Sequence, residues 1–290
     1  MEAPCKLCHS THTSTLARIG SASWAKGGSL TIVRCHECGV RFVSGSLADE
    51  LHEDFVEHIR PLPNTDGLSY ETRLRIVAAY RRTNRLLDFG CGFGGFLKEA
   101  EAQGWDVYGQ DISPKAVSHV RDVLHLRNCF LSGERLDVDF DAIILWGVVE
   151  HLEDPAAILR GLLNNLRPGG VLVMQCPNAA SLFYKLSHLV YALSGGRIDA
   201  LMRRVYVPQH RLYFDEKSLG HLLSRQDLVV KSIEATNINL DTIFEFYRDE
   251  AWARSVVARS VIRALNRTTK THFEIVCERA SDIVIPRIPN

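Results

Sequence analysis

Residues 85 to 282 predict a doubly wound α/β sheet, and three observations carry that prediction. Apolar runs of strand length alternate with helical segments. A glycine-rich turn at 90–95 joins the first strand to the first helix, and Ser113-Pro114 and Asp154-Pro155 each place a cap before a proline at a helix start. Taken in order, "RLLDF" is a strand entering the glycine turn, and "GFLKEAEAQG" is a helix closed by Gly104. "WDVYGQD" is the next strand, followed by the helix that Ser113 caps. "FDAIILW" is a buried strand, "AAILRGLLNNL" a helix, and "RPGGVLVMQCP" turns into a further strand. "DEKSLGHLLSRQ" reads as a helix, and "LVVKSIEA" and "THFEIVCERA" as strands, which gives at least six in all.

Two stretches exceed such a sheet. "SLFYKLSHLVYALSGG" places Leu182, Phe183, Leu186, Leu189, Val190 and Leu193 on one helical face, expected as a lid over a substrate or a shallow peripheral membrane contact. Residues 240 to 267 form a second helical insertion, so the insertions fall around 180–213 and 240–270. Upstream, residues 47–84 form a helical connector in which "RPLPNTDG" separates "LADELHEDFVEHI" from "LSYETRLRIVAAYRR".

The 290 residues are 46% hydrophobic, enough for a sizeable core. Lys plus Arg and Asp plus Glu both total 34, so net charge provides no long-range pull toward nucleic acid. No apolar run approaches the roughly 20 residues of a membrane span, and the first residues lack a secretory pattern; the expectation is a cytoplasmic protein of undetermined oligomeric state.

The eight cysteines divide by context. Cys91, Cys129, Cys176 and Cys277 are scattered singly, as buried small hydrophobes are. "CKLC" and "CHEC", separated by 26 residues, bring Cys5, Cys8, Cys35 and Cys38 together in a 1–46 module that resembles a zinc ribbon. Four thiolates suit tetrahedral Zn²⁺, and so small a module depends on the roughly 10 to 16 kcal/mol that a structural metal contributes. His9 and His36 flank the two knuckles, but the cysteines alone complete a ligand set. "SLTIVRC" and "GVRFVSG" are the strands entering and leaving the second knuckle.

The turn in "RLLDFGCGFGGFL" fits two cofactor patterns. Gly90, Gly92 and Gly95 match a dinucleotide fingerprint, whereas Asp88, Gly90, Gly92 and Gly94 match D-x-G-x-G-x-G of S-adenosylmethionine (SAM) enzymes. Asp111, 21 residues after Gly90, suits a ribose in either case. Asp88 separates them, because a carboxylate there repels a pyrophosphate and attracts an ammonium and a sulfonium.

Over nearly all of 85–280 the chain resembles class I SAM-dependent methyltransferases. "LLDFGCGFGGFL", "VYGQDISPKAV", "FDAIILWGVVEHLEDP", "LRPGGVLVMQCPN" and "PQHRLYFDEKSLGHLL" match five blocks in their order. The resemblance implies a Rossmann-like seven-stranded sheet with an antiparallel last strand. It implies that Asp88, Gly90, Gly92 and Gly94 border the methionine end of SAM, Asp111 its ribose, and Ile112 and Glu134 its adenine, with Trp146 beside the methyl donor.

Methyl transfer from a sulfonium needs positioning above all, and a base where the acceptor must lose a proton; His151 and His210 are the candidates. "VVEHLEDP" also resembles ubiquinone-type O-methyltransferases, which place a metal-binding Glu where this chain has Gly147, an argument against a catalytic metal here. The expected acceptor is a small or medium-sized molecule methylated at oxygen: a sugar, a quinone-like compound or a secondary metabolite. Two alternatives are an RNA methyltransferase, suggested by the zinc module and the basic run Arg254, Arg259, Arg263, Arg267 and Lys270, and a non-catalytic SAM-binding scaffold.

Overall fold

The structure is a computed structural model that describes residues 3–20, 29–44, 69–207, 209–237 and 270–279, with a few positions between 254 and 263. "LADELHEDFVEHI" and most of the 240–270 insertion lie outside the described residues, as does Arg267 of its basic run.

The central sheet contains β4 (Arg85–Phe89), β5 (Asp106–Asp111), β6 (Cys129–Leu131), β7 (Phe140–Trp146), β8 (Leu166–Pro177), β10 (Leu228–Thr236) and β11 (His272–Arg279), in spatial order β10-β11-β8-β7-β4-β5-β6. Strands β4 to β8 pair in parallel, while β11 runs antiparallel to both β8 and β10. This is the expected seven-stranded arrangement.

Capping residues fix where the helices start. Ser113 Oγ accepts from Ala116 N ahead of α3 (Pro114–Asp122), and Asp154 Oδ1 accepts from Ala157 N ahead of α4 (Pro155–Leu163). α1 (Tyr70–Ala78), α2 (Gly95–Ala102) and α3 cover one sheet face, with Leu74, Val77, Phe96 and Val120 packed against Leu86, Ala142 and Val173. The turn from β6 to β7 contains no helix, which leaves a groove of about 850 Å³ floored by Leu87, Phe89 and Gln110.

The opposite sheet face has a second layer beyond α4 and α7 (Glu216–Leu223). The N-terminal segment forms β1 (Thr13–Gly20), β2 (Ser29–Cys35) and β3 (Arg41–Ser44), and its Leu7, Val33, Val40 and Phe42 share one core with Ile143, Leu145, Leu172 and Met174. A two-residue strand, β9 (Leu212–Tyr213), completes this antiparallel sheet by pairing Arg41 with Tyr213 and Phe42 with Leu212. The cysteine module is therefore a layer of the molecule, stitched to it by hydrogen bonds and by buried apolar area.

The other face of the small sheet is covered by α5 (Leu182–Leu193) and α6 (Met202–Val205). α5 buries Tyr184 and Ser187, and the leucine face read from the sequence is the outer one, with Leu182, Leu189 and Leu193 at 49%, 53% and 80% exposure. The tyrosines win the buried side because they combine apolar area with hydroxyls that bond. Tyr184 donates to Val205 O at 2.9 Å, and Tyr191 donates to Arg18 O at 3.0 Å. No helix among the described residues is long and apolar enough to cross a membrane.

Two polar networks fix the frame. At the base of the sheet, burial alone would raise the Asp141 carboxyl, but Arg167 and the backbone N–H groups of Arg82, Thr83 and Asn84 hold it at about 2. Under α5, Arg41 donates to Tyr206 Oη at 3.1 Å, and Tyr206 lies 2.7 Å from His188 Nε2. Arg already donates to this hydroxyl, so its proton points to a neutral His188. Burial, with Arg41 and Arg34 nearby, lowers the His188 pKa from 6.5 to about 4. A depressed imidazole stabilises the fold fully above its unfolded pKa, and that contribution is lost as pH falls from about 6.5 to about 4. Melting temperatures measured at pH 7.5 and pH 5 are expected to drop for the wild type and to drop less for His188→Asn.

Candidate active site at the C-terminal edge of the sheet

From β4 the chain winds outward through β5 and β6, then returns to the other side of β4 for β7 and β8. The ends of β4 and β7 thus flank a topological switch point, where open α/β sheets bind ligands.

The glycine turn is built around that point. Gly90 N and Cys91 N both donate to Gln110 O, at 2.7 and 3.1 Å, which docks the turn on β5. Gly90 has φ +83°, and a Cβ there would lie 2.4 Å from Val148 Cγ2. Gly94, at φ +75°, is equally confined, by Val120 and Leu124. Gly92, at φ +51°, faces open space, with nothing among the described residues within 4 Å of a Cβ position. Three glycines thus do two jobs: two let neighbours close in, and one leaves room. Gly95 is small for a different reason than its place in the dinucleotide fingerprint suggests: Tyr70 Oη of α1 would be 2.8 Å from its Cβ.

Asp111, at the tip of β5, is buried. Its Oδ2 accepts from Gly92 N at 2.8 Å and its Oδ1 from Ser113 N at 2.9 Å, so one carboxylate ties the glycine turn to the start of α3. Burial pushes this carboxyl up, against the backbone N–H groups of Ser113, Gly92 and Ile112 that lower it. Asp88 is buried at the end of β4 beside the turn. Ile112, 60% exposed, and Leu131, 38% exposed and the last residue of β6, present apolar surface beside Asp111. Glu134 uses Oε1 to accept from Leu131 N at 2.7 Å, and its backbone carbonyl accepts from Gln110 Nε2 at 2.8 Å.

Trp146 ends β7, with the Phe96 ring 6.3 Å away edge-on and the Arg73 guanidinium 4.1 Å from its own ring centroid. Arg73, 2% exposed, is a residue that sequence reasoning missed. The available signal was a cation in the apolar stripe of Tyr70, Leu74 and Val77.

Past Trp146, Gly147 takes φ +61° and donates to Gln175 O at 3.1 Å, and a single helical turn carries Val149–His151. Here the structure brings the two predicted histidines together. The His151 and His210 rings meet edge-on at 4.6 Å, and with Glu150 they keep one ligand-type atom each within 4.8 Å. The pairing is fixed by the backbone: Arg211 N donates to Glu150 O at 2.8 Å, and His151 Nδ1 lies 2.9 Å from Gln209 O. A carbonyl only accepts, so Nδ1 carries the ring proton and Nε2 the lone pair.

The cysteines form a separate constellation. Cys5, Cys8, Cys35 and Cys38 keep their Sγ atoms within 4.8 Å of one another, with Cys5 to Cys38 at 3.6 Å and Cys8 to Cys35 at 3.5 Å. Each knuckle closes on a left-handed residue four positions after its first cysteine: His9 at φ +60° and Gly39 at φ +85°. Leu7 N and Cys8 N both point at Cys5 Sγ at 3.4 Å. The hydrogen bond with Cys38 lowers the Cys5 thiol to about 5, against the opposing effect of burial. His9 and His36 are exposed.

A family profile described as "Methyltransferase domain" matches residues 57–233, and the chain belongs to that family. At the level of individual relatives, the chain is similar to the ubiquinone biosynthesis O-methyltransferase of Cereibacter sphaeroides, 38% identical over 109 residues, covering 32% of this chain and 41% of that protein. It is also similar to the mitochondrial ubiquinone biosynthesis O-methyltransferase of Schizosaccharomyces pombe, 27% identical over 68% of this chain and 80% of that protein. Several of the curated relatives are thus matched over less than half their length. Among solved structures, the [4+2]-cyclase SpnF shares the fold, with a TM-score of 0.50 and 14% identity over 80% of this chain and 96% of that one.

The contrast between the glycines is testable by denaturant unfolding. Gly90→Ala, which sets a methyl group against Val148, is expected to cost about 3 kcal/mol or more, and Gly92→Ala, strained only by its φ, about 1 kcal/mol.

Proposed function

We propose that this chain is a SAM-dependent O-methyltransferase for a small, quinone-like or phenolic acceptor, with a structural zinc ion in its N-terminal layer. One observation carries the cofactor assignment: Gly92 leaves open space at the switch point while its N–H is held by Asp111, whose neighbours Ile112 and Leu131 expose apolar surface. That combination fits a nucleoside, with a carboxylate for ribose hydroxyls and an apolar ledge for the base. Asp88 supplies negative charge on the methionine side, and Arg73 supplies a buried cation for the cofactor's carboxylate. Glu134 and Trp146 complete the border, Glu134 through the loop whose shape it fixes.

SAM supplies an electrophilic methyl on a sulfonium; the protein's task is to align an acceptor oxygen and take its proton. His151 suits the second task, because Gln209 O fixes its tautomer and leaves Nε2 as the base, with His210 and Glu150 beside it to spread the charge it acquires. The names of the curated relatives favour an oxygen acceptor of the quinone type over a sugar.

Zinc fits the cysteine cluster. Tetrahedral coordination at about 2.3 Å per bond sets sulfurs about 3.8 Å apart, close to the 3.5 and 3.6 Å found here. Cys5, Cys8, Cys35 and Cys38 would hold it.

Two measurements test the assignment. Calorimetric titration with S-adenosylhomocysteine (SAH) is expected to show one site, weakened by about 1–3 kcal/mol in Asp111→Ala; equal affinity in the variant contradicts the ribose role. Elemental analysis is expected to give one zinc per chain, and a strong chelator to lower the melting temperature; an unchanged melting temperature after metal removal contradicts a structural role.

A further inference from the structure

Trp146 and Gln175 are register partners on β7 and β8, so their side chains leave the same face of the sheet at its C-terminal edge. Gln175 in turn opposes Glu274 on β11, and the three form one cross-strand row. Gln175 is 1% exposed, yet among the described residues its Nε2 has no hydrogen-bond partner, and neither has the indole Nε1 of Trp146. Two buried donors side by side without acceptors are costly to a folded protein, and such groups mark places where a ligand completes the bonding.

On the reading that this edge holds SAM and an acceptor, we infer that Gln175 is a specificity-determining residue, and that with the Trp146 N–H it recognises a neutral oxygen on the acceptor next to the oxygen that is methylated. The position follows from topology. Trp146 ends the strand beside the glycine turn, so a group bound to this row is adjacent to the methyl donor. Neutrality follows from the row itself, because buried, acidic Glu274 stands beside Gln175 and disfavours a carboxylate. Aromatic character follows from the Phe96 and Trp146 rings that flank the position. The chemical class is therefore a ring with two adjacent oxygens, one methylated and one read, as in a catechol or a hydroxyquinone.

The test uses the full chain, SAH and catechol. SAH is titrated first, catechol is then titrated into the SAH complex by calorimetry, and the ligand-free melting temperature is recorded for wild type and Gln175→Met, a swap that keeps volume and removes the amide. The expected result is catechol binding to wild type, weakened at least tenfold in Gln175→Met, with SAH affinity within twofold and a melting temperature equal to or above that of wild type. Equal catechol affinity in the variant, or no catechol binding to the wild-type SAH complex, overturns the inference. So does a melting temperature lowered by several degrees, which would mean that the amide is bonded inside the protein. A tenfold loss of SAH affinity in the variant also overturns it, by assigning Gln175 to the cofactor. Absence of SAH binding by wild type is a separate result: it removes the cofactor reading, and this inference with it.

Discussion

The Asp111 carboxylate, shared between the N–H groups of Gly92 and Ser113, is the interaction on which the site depends. It joins the turn after the first strand of the central sheet to the helix after the second, and so sets the width of the space over the switch point. The cost is burial of a charged group, visible in its raised pKa. Two N–H donors reduce that cost, and each oxygen keeps a lone pair for a ligand hydroxyl. The glycines follow from the same constraint. Gly90 has no side chain because β7's connection passes against it, whereas Gly92 borders open space.

A second dependence runs through residues 206–213. Tyr206 is bonded to Arg41 of the cysteine layer, Gln209 and His210 stand against His151, and Leu212 and Tyr213 pair with β3. The cysteine knuckles, through β3, therefore help to place one of the two histidines of the site. This gives the cysteine module a physical task at the candidate site, and its Phe42 and Val40 share a core with the strands of the central sheet.

Local chemistry was legible in the sequence, and long-range pairing was not. Caps at Ser113 and Asp154, the Gly104 helix end and the paired cysteines each act within a few residues, and each stands where expected. Strand β9 is two residues long and exists only because β3 offers an edge 170 residues earlier in the chain. Gln175 reads as one polar position in the run "VLVMQCP", and its importance appears only once its neighbours across the sheet are known. The face of α5 misled for a different reason: counting apolar residues favoured the leucines, but the tyrosines bring hydroxyls that satisfy backbone carbonyls of α6 and of β1.

The proposed SAM site is the space above Gly92, bounded by Asp111 and the tips of the neighbouring strands. Amide hydrogen exchange of the full chain with and without saturating SAH tests it most directly. Slowed exchange confined to three segments, 90–95, 111–116 and 131–134, is the expected result. Unchanged exchange in all three, or protection concentrated elsewhere in the chain, would contradict it.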